Sequence, residues 1–103
     1  MEKMIIFYRN DAEKEWAIEL AEKYIPYPTE TFTMTHKRTR VDEKNQHTIW
    51  VRRFTDELSA RGLKADFVLI PKDFDFYTRY FHIFISITSG SQDALMFYSD
   101  GRD

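Results

Sequence analysis

Three histidines, His36, His47 and His82, are the side chains best suited to hold a metal or move a proton near neutral pH. No two of them stand three or four residues apart, the spacing that puts two ligands on one helical face. His82 and Ser86 share one face of the strand expected over Arg79–Ser89, as a base and a nucleophile would. Four residues along a strand span about 13 Å, far beyond hydrogen-bond reach, so that pairing is set aside. Asp66 heads an apolar stretch where a nuclease-type metal site could begin. That chemistry needs a further carboxylate and a lysine on the next strand, and Ile83-Phe84-Ile85-Ser86-Ile87 has neither. Ser89-Gly90-Ser91 could hold an anion on its backbone N–H groups if it opened a helix, but no lysine follows, and a plain turn is expected. The chain has no cysteine, which removes disulfides, thiolate metal sites and cysteine nucleophiles together. No catalytic residue, metal site or cofactor is assigned, and an enzyme ranks last among the function classes.

Binding chemistry is better represented. His36, Lys37, Arg38 and Arg40 form the densest basic run, and Arg52 and Arg53 could join it. Such a set neutralises phosphates of a nucleic acid or nucleotide, or meets an acidic partner. Trp50 or Tyr27 would then offer a stacking surface. Against this, the chain carries a net charge of -2, whereas dedicated nucleic-acid domains are basic. Phe74, Phe76 and Tyr77 alternate with Asp73 and Asp75 in a stretch read as a loop over Lys72–Thr78. They either cap the core or anchor a protein partner, since interface centres favour aromatics.

Charge is unevenly spread along the chain. Met1–Thr35 has four basic and seven acidic residues, His36–Lys64 eight and four, Ala65–Asp103 three and six. A positive middle therefore lies between two negative thirds. Nine Phe, six Tyr and two Trp are more than a core of this size needs, which leaves rings for the surface. The 103 residues fit one domain, 1–103, able to form a core without staples. The apolar run near Met1 is too short for a signal peptide, and no stretch is long enough to span a bilayer, so a soluble cytoplasmic protein is expected.

The elements that must position these groups follow from periodicity. Met4–Tyr8 reads as a strand. Asn10 or Asp11 caps a helix over Ala12–Tyr24, with Ala12, Trp16, Ala17, Leu20, Ala21 and Tyr24 on its buried face and Pro26 and Pro28 beyond its end. Thr29–Val41 alternates Phe32 and Met34 against Thr31, Thr33 and Thr35, a strand near a sheet edge. A second helix is expected from Asp42 or Asn45 to Gly62, burying Ile49, Trp50, Phe54 and Leu58. Ala65–Ile70 reads as a strand. Arg79–Ser89, with Phe81, Ile83, Ile85 and Ile87 on one face, reads as the central strand, so that Ile85→Asp is expected to unfold the chain. Ala94–Ser99 reads as its hairpin partner, a short helix capped by Ser91 being the alternative, with a polar tail over Asp100–Asp103. The result is an α+β (or α/β) fold, a mixed five-stranded sheet with two packed helices in the order β-α-β-α-β-β-β. The function that fits best is a small binding or regulatory protein that docks on a protein partner. Nucleic-acid or nucleotide binding through the basic segment is the alternative, and self-association through a sheet edge is a further expectation.

Overall fold

Met4, Ile5, Ile6 and Phe7 are all buried, so the strand that carries them, β1 (Glu2–Tyr8), is dry on both faces. Such a strand belongs in the middle of a sheet. In the computed structural model, which describes residues 2–32, 36–43 and 45–100, β1 lies between two parallel neighbours. The chain continues through α1 (Asp11–Tyr24), β2 (Glu30–Phe32), β3 (His36–Val41), β4 (Gln46–Arg53), α2 (Glu57–Ala60), β5 (Phe67–Pro71), α3 (Phe74–Ile87) and, after a short 3-10 turn, β6 (Leu95–Tyr98). The sheet order is β2-β3-β4-β1-β5-β6. Strands β4, β1, β5 and β6 run parallel, and β2 and β3 extend the sheet as antiparallel strands.

Side-chain alternation divides the core. Met4, Ile6, Ile49, Val51 and Leu69 pack with Ala17, Ala21 and Ile25 on the α1 side. Ile5, Phe7, Val68 and Ile70 pack with Phe76, Ile83, Phe84 and Ile87 on the α3 side. A helix on each side of the parallel strands is what right-handed crossovers produce when the chain leaves β1 in one direction and β5 in the other.

The mixed sheet with packed helices is as expected, with six strands and three helices in place of five and two. Asn10 does cap α1, accepting the Glu13 N–H through its side chain at 2.9 Å. On that helix Ala12 and Tyr24 are exposed, while Glu13 is buried because Arg9 pairs with it. The Thr-rich stretch is two strands, with β2 at the sheet edge; Thr33, Met34 and Thr35 lie outside the described residues. Residues 101–103 of the polar tail lie outside them too.

Two elements exchange their expected types. The stretch read as the central strand is α3. Asp73 accepts the Phe76 N–H at 3.0 Å and caps the helix, which starts at Phe74, five residues before the strand expected from Arg79. Phe76, Ile83, Phe84 and Ile87 then form a buried helical stripe, and Ile85 is only half-buried. Lys72–Thr78 is accordingly a helix start, not a loop. Conversely, the first part of the expected second helix is β4, where Thr48, Ile49 and Val51 suit a pleated surface. Only α2 remains helical there, with Leu58 72% exposed and Gly62 at φ +83 just beyond the end. Ser89-Gly90 ends α3: the Gly90 N–H donates to the Ile85 carbonyl at 2.8 Å, a C-terminal cap with no free N–H cradle. Finally, β6 is a strand as read, but it pairs in parallel with β5 instead of closing a hairpin.

Candidate functional site

The basic segment is divided by the pleat. His36, Arg38 and Arg40 stand opposite Val51, Ile49 and His47 and face the α1 side. Lys37 stands opposite Trp50 and faces the other way, as does Arg52, which is in register with Phe7. Arg38 donates to the Ile25 carbonyl at 2.8 Å and the Pro26 carbonyl at 3.3 Å, closing the C-terminal end of α1. Arg40 pairs with Asp42 at 3.0 Å. Arg53 reaches the Arg9 carbonyl at 3.4 Å and Asp11 at 3.9 Å. The six basic residues therefore do not form one continuous patch, and Arg38, Arg40 and Arg53 have structural partners.

His36 is half-buried, and its Nε2 has no hydrogen-bond partner among the described residues. Burial first, then Arg38 and Lys14, push its pKa down, against Glu22. His47 lies 3.4 Å from Asp42 and 3.9 Å from Glu2. His82 stands on the outer face of α3 with Nε2 3.6 Å from Glu57. Because α3 is a helix, Ser86 is one turn from His82, and the distance argument that separated them along a strand falls away. Both line a recess of about 200 Å³ between α3 and the turn after α2, yet among the described residues no hydrogen bond joins them, and the imidazole is 66% exposed and turned to Glu57.

The aromatic trio also separates. Phe76 is drawn into the core against Phe54, Tyr80 and Phe84 and is unavailable to a partner. Phe74 is 76% exposed. Tyr77 is half-buried in a row of rings, 5.3 Å from Phe81 and 5.2 Å from Phe97 between centroids. Phe97 belongs to β6, the last strand of the sheet, so this row runs beside a free edge. On the α1 side of the same strand, Trp16, Leu20, Tyr24 and Met96 line a recess of about 180 Å³. The Lys72 N–H donates to the Tyr98 carbonyl, so Tyr98 directs its backbone toward β5. By alternation Phe97 directs its N–H and C=O outward, where among the described residues no strand pairs with them. Leu95-Met96-Phe97-Tyr98 has no charge, and the Tyr98 hydroxyl donates to the Phe7 carbonyl to fix the strand. Burial raises the Tyr98 pKa and keeps that hydroxyl protonated.

Sequence reading did not foresee the cleft at the C-terminal ends of β1, β4 and β5. This is where the strand order reverses, the usual ligand position in open parallel sheets. Arg9, Thr55, Asp73, Arg79 and Tyr80 are among the residues lining its roughly 370 Å³. Arg9 donates through Nε and Nη2 to Glu13 and through Nη1 to Asp73 at 2.9 Å, with its guanidinium 4.8 Å from the Phe76 ring centroid. Glu13 chiefly, then Asp73, raise the Arg9 pKa against burial. Arg9, in turn, with the Phe76 N–H, holds Asp73 below the usual carboxylate range. Two carboxylates neutralise the Arg9 guanidinium, so among the residues lining the cleft Arg79 is the one cation outside that cluster. Arg9 instead ties the turn after β1 to the turn after β5. Among the described residues no three His, Asp or Glu side chains gather closely enough to hold a metal ion, and no helix is long and apolar enough to cross a membrane.

The chain matches no protein-family model and no curated protein.

Proposed function

We propose that this chain is a small non-enzymatic docking protein, regulatory in character, that takes an extended apolar segment of a protein partner onto the free edge of β6. The observation that carries the proposal is an uncharged edge strand with an apolar recess on one face and a row of aromatic rings on the other. In strand addition, main-chain hydrogen bonds supply affinity and recesses for alternate side chains supply specificity. A segment paired along β6 would send one side chain toward Trp16 and Tyr24 and the next toward Tyr77 and Phe97. Tyr24 is 50% and Phe97 46% exposed, so both have apolar surface left to cover. The edge is only four residues long, and association costs offset much of the gain, so affinity is on the order of micromolar.

Selection from a library of displayed random peptides on the immobilised chain tests this. Expected are enriched peptides with apolar residues at every second position, whose binding is lost on Phe97→Pro and weakened on Phe97→Ala. Phe97→Pro removes the outward N–H while leaving the bonds to β5. No enrichment, or peptides that bind Phe97→Pro as well as the parent, would overturn the proposal. A dimer in sedimentation that dissociates on Phe97→Pro would replace the partner segment by a second copy of this chain.

A further inference from the structure

Among the described residues, no helix packs behind β3 and β2 on the α3 side, and β4 meets that core only at its margin. The apolar core there draws on β1, β5 and β6, and among the described residues none of β2 or β3 belongs to it. Trp50 stands half-buried at the margin of that core. Lys3 on β1 places its Nζ 5.3 Å from the Trp50 ring centroid, and Lys37 on β3 does so at 4.8 Å from the other neighbouring strand. The same Lys37 Nζ is 5.2 Å from the ring of Phe32, which is 53% exposed on β2. Cation, ring, cation and ring thus alternate across four adjacent strands spaced about 4.8 Å apart. Arg52, two residues beyond Trp50, is on this face too. Lys3, Lys37 and Arg52 have no ion-pair partner among the described residues. The strand register puts Glu30, opposite Thr39, on this half-face, and the Asp66 carboxylate lies at its border, accepting the Lys3 backbone N–H at 2.8 Å.

We infer that this open face binds single-stranded nucleic acid, with Trp50 and Phe32 stacking bases and Lys3, Lys37 and Arg52 meeting phosphates. Rings on an exposed sheet face accept unstacked bases of any sequence, and interleaved cations follow the backbone. Lys3 and Lys37 are half-buried, and a lysine over a tryptophan at such a site is held more weakly than a stacked base, so each ammonium can swing from the ring to a phosphate as a base enters. Among the described residues this face carries no basic helix to enter a duplex groove, so the preference is for single strands. An acidic protein segment would use the cations and leave both rings without a role. The site is independent of β6.

The direct test is fluorescence anisotropy with labelled mixed-sequence DNA and RNA oligomers of about a dozen nucleotides at low salt. Trp16→Phe leaves Trp50 as the one tryptophan, so quenching of its emission reports occupancy. Binding should quench that emission and weaken as salt rises. Lys3→Ala with Lys37→Ala should weaken it at least tenfold and lower the salt slope by about two. Lys14→Ala with Lys23→Ala, on α1 at the opposite side, should change little. Circular dichroism of each variant separates lost binding from lost fold. Absence of binding at low salt would overturn the inference. So would binding unchanged in the Lys3/Lys37 variant, equal binding of duplex, or easier displacement by poly-glutamate than by unlabelled oligomer. The last result would assign the face to an acidic protein. The DNA and RNA arms show which strand is preferred.

Discussion

The two free edges of the sheet, β2 and β6, are built differently. β2 has three residues, Glu30, Thr31 and Phe32, all exposed, and it hangs from β3 at the end of an antiparallel extension. Its carboxylate and its shortness are the means by which proteins blunt an edge. β6 has four uncharged residues, two of them buried, and lies on β5 within the parallel core. Its Tyr98 hydroxyl and the Lys72 N–H hold it in place, and rings flank it on both faces. An edge position alone does not make a docking strand. Anchorage on the core and an uncharged, recessed flank set β6 apart.

The largest expected effect tests that anchorage. Arg9→Met should cost roughly 3 kcal/mol in urea unfolding, because Glu13 is left buried without its cation; partial exposure of Arg9 keeps the figure from being larger. The matched change beside β3, Arg40→Met, should cost no more than about 0.5 kcal/mol, since its partner Asp42 is exposed. Equal costs would show that the β6 half is no better tied than the β2 half. Next, Tyr98→Phe should lower stability by about 1–2 kcal/mol by leaving the Phe7 carbonyl unsatisfied, again read from the urea midpoint. Smaller still, Phe97→Asp and Phe32→Asp should each change stability by less than about 1 kcal/mol. Only Phe97→Asp should abolish capture of the peptides selected on the parent chain. The smallest effect concerns pH and lies in the β2 half. His36 has a folded pKa below its ordinary 6.5, so the unfolded chain binds the extra proton first. Stability from neutral His36 is complete above that value and is lost as pH falls below it. His36→Gln should flatten this part of the stability–pH curve, measured by thermal melts across the acid side of neutrality.

Legibility in the sequence followed the same division. β1, α1 and β5 were readable because a short apolar run, an Asn10 cap and a closing Pro71 each admit one interpretation. The type of α3 was not, because Phe81, Ile83, Ile85 and Ile87 satisfy a period of two. Phe76, Tyr80, Ile83, Phe84 and Ile87 satisfy a helical period equally well. The deciding signal was Asp73 as a cap three residues before Phe76, and the alternating Asp and Phe there mimic a loop. β4 failed in reverse: Ile49, Trp50 and Phe54 fit a helix, although Thr48, Ile49 and Val51 prefer a strand. Once β4 is a strand, adjacent basic residues must point to opposite faces, which is why the basic segment did not survive as one patch. Tyr77 was open to two readings, core cap or surface anchor, and its neighbour Phe97 comes twenty residues later and meets it only through the crossover from α3 to β6. Arg9 gave a faint signal as a charge directly after an apolar strand at the head of a helix.

Backbone amide hydrogen exchange, resolved by residue and recorded with and without a peptide selected on the parent chain, tests the docking edge most directly. The outward N–H of Phe97 should exchange readily in the free chain and slow by at least tenfold on binding, because strand addition gives it a partner. Thr31 on β2 should exchange at the same rate in both states. Protection that appears on β2, or on neither edge, while the peptide is bound would contradict the assignment of β6 as the docking strand.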